Sequence, residues 1–475
     1  MTRQTSKCML IAMLFALPAC YDEVPNLNGL DLDELEENPT PSLINEAAIG
    51  LLIGHRANKA ATNGYVATVG ILGRESYNLD PADPRFRSEL LETELDPGSP
   101  AFGGNFWNEP YRNIRNAYTV LNALDVVIGM SDGQKNAVRG FTKTIMALDF
   151  LIVINTRDEN GIPIDVDRDL SDELAPIVTK EQAFDEIERL LDEGCRELGG
   201  CADPLPTAPF PFDLGSGFYD RDDPEKFGFN TPEHFVQFNR AIATRALLLR
   251  PEGDGTAVLD RAQAALDLSF IRQDANELNL GVYHVFSTGS GDTTNGLNSN
   301  NLYVHPSTFT GARTKADGKP DDRVTRKLVH FLALGEKKGG SIASGNLTYS
   351  SDYRFAQYRS PTASVPIIRN EELLLMQAEI YIRTGQFEQA RTFLNFIRQN
   401  SGGLDPLAAD ALTEANAVDE LLYERRYSLL LEGGHRWVDM RRFNRLDDLL
   451  SDDENPGLKV FNAFPIPVDE ANARK

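Results

Sequence analysis

A mainly α-helical chain, built from helix pairs in an array and interrupted by long irregular insertions, is the fold class predicted by three observations. Val365 to Asn400 holds two helical periods around one break, with Leu374, Ala378 and Tyr381 before Gly385 and Phe387, Ala390, Leu394 and Ile397 after it. Each set falls at the spacing that puts apolar side chains on one helix face. Three further stretches, near 42–124, 135–192 and 233–268, show the same paired pattern. The segments between them, 62–106, 155–178, 195–231 and 270–364, are rich in Gly, Pro, Asn, Asp and Ser, the residues of turns and loops. A chain of 475 residues, 41% of them hydrophobic, has enough apolar material for a sizeable core.

In chain order, Arg3 and Lys7 precede a short apolar run from Met9 to Leu17, which suits a secretory signal and is too short to span a bilayer. Leu17-Pro18-Ala19-Cys20 follows and resembles the lipobox of bacterial lipoproteins. That resemblance implies removal of residues 1–19 and attachment of diacylglycerol and palmitate at Cys20, an anchor in outer-membrane lipid. Residues 20–41 combine acidic side chains with turn formers and read as a tether, and Asp22 and Glu23 are similar to the acidic signals that send some lipoproteins to the cell surface. Ser42 is a candidate N-cap for a helix to Ala61, which pairs across an insertion with a helix over 108–124 bearing Tyr111, Ile114, Ala117 and Leu121 on one face. Helices over 135–154 and 179–192 make the second pair, the latter opening on the capping-box spacing Thr179 to Gln182. Helices over 233–249 and 257–268, joined at Pro251-Glu252-Gly253, make the third, and 365–400 makes the fourth. The 34-residue helix-turn-helix period of tetratricopeptide repeats matches this last unit. Such a unit buries its apolar face only by stacking on neighbours, so a superhelical array is expected.

The 47 Lys and Arg against 71 Asp and Glu leave a formal charge of −24, and loss of Arg3 and Lys7 with the signal would make it −26. A surface of that sign repels nucleic acid and favours a neutral ligand or a basic partner. Of four cysteines, Cys8 leaves with the signal and Cys20 takes the lipid; Cys195 and Cys201 remain as a pair, disulfide-bonded or as two free thiols.

Catalytic and metal chemistry is thin. The six histidines are scattered without H-E-x-x-H, and neither G-x-S-x-G nor a phosphate-binding G-x-x-x-x-G-K-[ST] occurs. Asp165, Asp167 and Asp169 open like a calcium loop, but Leu170 stands where its turn glycine belongs and Pro176 where its bidentate Glu belongs. No enzyme activity, metal or cofactor is therefore expected. The longest insertion, 270–364, gathers Tyr283, His284, Phe286, Asn295, Asn298, Asn300, Asn301, Tyr303, Tyr349, Tyr353 and Tyr358. Aromatic faces stack on sugar rings and amides bond their hydroxyls, so Tyr283, His284, Asn301, Tyr303 and Tyr353 are the candidate ligand contacts for a glycan.

The segment 421–467 is the most specific. Glu424-Arg425-Arg426-Tyr427 is followed by Leu431-Glu432-Gly433-Gly434-His435-Arg436-Trp437-Val438-Asp439-Met440-Arg441-Arg442, then by Pro465-Ile466-Pro467. This resembles the ER...EG.RW.DLRR signature and closing PIP of the SusD/RagB family of nutrient-binding outer-membrane lipoproteins. Pro366-Ile367-Ile368-Arg369 with Glu372, Ala378 and Glu379, the Trp107 to Asn116 stretch, and Gly161-Ile162-Pro163-Ile164 follow the family pattern in the same order; Asn370 departs from it where an aromatic is commoner. The resemblance implies four tetratricopeptide-like units carrying an irregular ligand-bearing half, and a lid on a SusC-like TonB-dependent transporter to which it delivers an oligosaccharide or other nutrient. Glu424, Arg425, Glu432, Arg436 and Asp439 are expected to form semi-buried ion pairs tying the last helices to the array. A lipid-anchored scaffold for another protein, or a glycoside hydrolase, are the alternative functions.

Overall fold

The computed structural model describes residues 32–475 apart from 100, 101, 103, 169, 170, 224, 252–254, 452–454 and 456. The signal, Cys20, the first part of the tether, Asp169 and Leu170 of the acidic loop, and Glu252 and Gly253 of the expected turn lie outside the described residues.

The expected tether gives way early to structure. Helix α1, Leu32–Glu37, lies within 20–41, and Leu35 is fully buried in the main core. Its acidic neighbours mask Leu35 in the sequence. Helix α2, Pro41–Arg56, is capped by Thr40 rather than Ser42, because Pro41 has no N–H to satisfy and a fixed φ suited to a first turn. It ends at Arg56 rather than Ala61, where Asn58 turns left-handed at φ 55°. Helix α3, Tyr65–Leu72, falls within the expected insertion 62–106; all eight of its residues are buried, and a uniformly apolar segment has no amphipathic period to reveal it.

Helix α4, Asn105–Val126, packs on α2. It begins a turn before the expected Asn108, so Pro110 sits inside it. Helix α5, Asp132–Arg157, and α6, Lys180–Glu197, form the second pair, each opening on a capping box, Ser131 with Gln134 and Thr179 with Gln182. Helices α7, Pro232–Leu249, and α8, Thr256–Asp267, form the third. A short helix α9, Asp322–Lys327, lies in the long insertion. Helices α10, Asn370–Arg383, and α11, Phe387–Asn400, form the fourth pair, turning at Gly385 with φ 73°. Successive pairs also touch, α4 on α5, α6 on α7 and α8 on α10, so the helices stack as one mainly α array. Helices α11 and α10 share a core of Leu374, Ala378, Ala390, Leu394 and Ile397 with α12, Ala417–Ser428. A further helix, α13, is His435–Arg442.

Residues 365–369 are a strand, not the start of a helix. The insertions contribute short antiparallel pairs: β1, Ser76–Asn78, with β5, Leu302–Val304; β2, Ile162–Pro163, with β3, Ile177–Val178; β4, Gly281–His284, with β10, Val365–Arg369; β6, Leu328–His330, with β9, Tyr353–Phe355; and β7, Gly340–Ser344, with β8, Leu347–Ser351. This half has its own core, in which Tyr77, Tyr349, Phe355, Tyr358 and Trp437 are buried. Cys195, buried at the end of α6, is disulfide-bonded to Cys201, with Cα atoms 5.8 Å apart.

A groove and an adjoining pocket at the junction of the two halves

Strand β4 lies where the helical array meets the irregular half. Its alternation leaves Gly281 and Tyr283 half-buried and turns Val282 and His284 inward. Tyr283 stands opposite Pro366 and His284 opposite Val365 of β10. The outer side of β4 forms one wall of a groove of about 220 Å³, closed by Ile53 and Arg56 at the end of α2 and by the loop from Asp213 to Arg221. Tyr283 is held there by its hydroxyl, which donates to Asn279 O at 2.5 Å, and by its backbone N–H, which donates to Gly217 O at 3.0 Å. A side chain at Gly217 would put Cβ 2.1 Å from Tyr283 O, so only glycine allows the loop this close.

Two ion pairs flank the aromatic ring. Arg56 donates to Val285 O and to Asp292, both at 2.5 Å. Arg221 donates to Asp213 at 2.6 Å, while Gly215 N and the Tyr219 hydroxyl donate to the same carboxylate at 2.8 and 3.1 Å. Burial pushes the Asp213 carboxyl up, and these donors more than offset it, so it stays below the usual carboxylate range. The groove thus offers one aromatic face and paired planar donors and acceptors, the set that engages a sugar ring and its neighbouring hydroxyls.

Behind β4 lies a half-open pocket of about 100 Å³, which shares His284 and Ile367 with the groove. His55 of α2 and His284 lie with ring centroids 5.2 Å apart. His55 Nδ1 is 2.7 Å from Asp149 Oδ1, and Asp149 Oδ2 accepts from Asn113 Nδ2 at 2.6 Å. Burial holds both imidazoles below their ordinary range, His284 well below, so both are neutral at pH 7. Lys59, Arg245 and His435 also line this space.

The five candidate ligand contacts do not form one surface. Tyr283 and His284 line the groove and pocket. Tyr303 is buried under Arg354, whose guanidinium lies 4.4 Å from its ring and donates to its hydroxyl at 2.8 Å. Tyr353 packs between Phe309 and His330, at 4.6 and 5.1 Å. Asn301 sits at the β1–β5 edge, where its carbonyl accepts from Leu79 N at 2.8 Å. Phe286, Asn295, Tyr349 and Tyr358 are buried as well. The insertion is a small folded half, and most of its aromatics are its core. Arg56, Asp213, Arg221 and Lys59, missed in the sequence, carry no motif; Arg56 reads there as an ordinary C-terminal helix cation.

The signature residues form a buried network joining the halves. Glu424 accepts from Arg323 of α9 at 2.5 Å and from Arg398 of α11 at 3.1 Å. Glu432 accepts from Arg369 of β10 and Lys327 of α9, both at 2.8 Å. Arg425 donates to Asp439 at 2.6 Å, and Arg442 bridges Asp439 to Glu379 of α10. Arg436 is buried too, and its charge acts on Glu75. Glu371 shows the balance: burial raises its carboxyl, but Arg369 and Lys327 bring it to about 2. Among the described residues no group of three or more His, Cys, Asp or Glu is set to hold a metal ion, and no helix is long and apolar enough to cross a membrane.

Residues 346–471 match the model of the SusD family. No curated protein sequence matches the chain. Among solved structures it is similar to a SusD-like carbohydrate-binding protein from Bacteroides fragilis, at a TM-score of 0.67 and 14% identity over 91% of this chain and 98% of that one. It is similar also to a SusD superfamily protein from Bacteroides vulgatus, at 0.63 and 15% over 90% and 97%. Surface glycan-binding protein A from Bacteroides thetaiotaomicron, in complex with laminarihexaose, aligns at 0.64 and 13% over 92% and 98%. Residues 346–471 are thus similar to the SusD family, and the chain shares the fold of solved SusD-like proteins over nine-tenths of its length.

Proposed function

We propose that this chain is a surface lipoprotein, anchored through Cys20, that binds an oligosaccharide in the Tyr283 groove and passes it unaltered to a SusC-like TonB-dependent outer-membrane transporter. The observation that carries the reading is the groove itself: an aromatic face between the Arg56–Asp292 and Arg221–Asp213 pairs, opening on the irregular half of the fold. Solved proteins of the same fold include one described as laminarin-binding and one in complex with laminarihexaose, which supports a glycan as the ligand class.

Calorimetry of the mature protein against a panel of oligosaccharides, with product analysis afterwards, tests it. Saturable binding without product is expected, and Tyr283→Ala should weaken it about tenfold, the value of one aromatic stacking contact of roughly 1–1.5 kcal/mol. Cleaved glycan would make the protein a hydrolase. Binding that ignores Tyr283→Ala would move the site elsewhere.

A further inference from the structure

The pocket behind β4 contains one charge that the protein leaves uncompensated at hydrogen-bonding distance. Lys59, just beyond α2, is 7% exposed and lines the pocket, yet no described protein oxygen accepts a hydrogen bond from its ammonium. The other cations here are engaged: Arg245 with Glu372 at 2.7 Å, and Arg425 with Asp439. The acids acting on Lys59 are committed elsewhere, Asp149 to His55 and Asn113, and Glu109 to Arg112. The imidazole of His284, a residue 8% exposed, likewise makes no hydrogen bond to the described protein, and it lines both pocket and groove. An ammonium confined in such a pocket without a protein acceptor is poorly solvated, a cost that an incoming anion would relieve. Burial lowers the Lys59 pKa only to about 8, so the charge persists at pH 7.

We infer that this pocket is a carboxylate subsite, and that the oligosaccharide held in the groove carries an acidic sugar whose carboxylate reaches Lys59 past His284. The inference rests on the groove reading and sharpens it to a ligand class. About 100 Å³ accommodates a carboxylate and water, not a whole sugar ring. The formal charge of −24 opposes polyanions at long range, so a neutral chain ending in one uronic acid fits better than a polyuronate.

The test compares a glucuronosyl-glucose disaccharide with its methyl ester by calorimetry, on the wild type and on Lys59→Met, whose side chain keeps the length without the charge. The acid should bind at least tenfold more tightly than the ester in the wild type, and equally in the variant. Equal binding of acid and ester to the wild type, or a preference that survives in Lys59→Met, overturns the subsite. Acetate alone, followed through the NMR titration of Lys59, separates the two readings. If it raises the Lys59 pKa while neither disaccharide binds, the groove reading falls and the anion site stands alone. If acetate binds as tightly as the acid disaccharide, the acidic-sugar assignment is wrong. Lys59→Met should fold at least as well as the wild type, with a raised melting temperature; a lowered one would show Lys59 to be structural and sink the proposal.

Discussion

Glu75 shows how one side chain can make this protein sensitive to pH. It is 1% exposed, and its Oε1 accepts from Leu431 N at 3.0 Å. Burial pushes its carboxyl up from 4.5 to about 7. The folded state therefore holds a proton that the unfolded state releases between those values. The stability this confers is complete below pH 4.5 and is lost as pH rises through 7. Urea denaturation at pH 5 and pH 8 should show the Glu75→Gln variant gaining on the wild type by up to about 3 kcal/mol at the higher pH, from 1.36 kcal/mol per pKa unit. A constant gap between the two proteins would refute this. Glu432 behaves in the opposite way, held ionised by Arg369 and Lys327 despite burial. The acids and arginines of the signature were legible in the sequence as ion-pair formers. Their partners Arg323 and Lys327 were not, because no periodicity links an irregular insertion to a helix a hundred residues on.

Among the elements, the long helices were the most readable, because an apolar period marks them and α2, α5, α6 and α7 also cap their own starts. The elements that the sequence hides have no such period: α3 is apolar all round, α1 sets Leu35 among acidic residues, and β10 reads as helix because its apolar run continues into α10. The same reasoning covers the site. Tyr283 and His284 read as candidates because they are polar aromatics in an insertion, and so does Tyr303, although Arg354 already occupies it. The disulfide at the end of α6 closes a loop that ends on Cys201 at a left-handed φ of 55°. Closing so short a loop removes about 2 kcal/mol of chain entropy from the unfolded state. The Cys195→Ala/Cys201→Ser variant should unfold at correspondingly lower urea, and the wild type with reductant should match it. Identical midpoints for all three would mean the bond contributes nothing.

In the molecule as a whole, the last fifty residues hold the two halves together. Arg74 Nη2 donates to Lys459 O at 2.8 Å, Lys459 N to Leu91 O at 2.7 Å, Phe464 N to Thr156 O at 2.7 Å, and Arg441 Nη2 to Asn155 O at 2.9 Å. Trp437, fully buried, packs edge-on to Phe464, and its indole N–H donates to Phe461 O. Deleting residues 421–475 leaves all four helix pairs, yet it should abolish the single cooperative thermal transition while much of the far-ultraviolet helix signal remains. A sharp transition in the truncated chain would show that the array is stable alone.

That arrangement also sets a clock. Glu75 and the backbone N–H it accepts from are 356 residues apart in the chain. At about 5–20 residues per second of synthesis, the early half waits roughly 20–70 s for its last contacts. During that interval it is an unlatched chain, the state in which a polypeptide can still be threaded through a narrow pore, and it closes only when its own tail arrives.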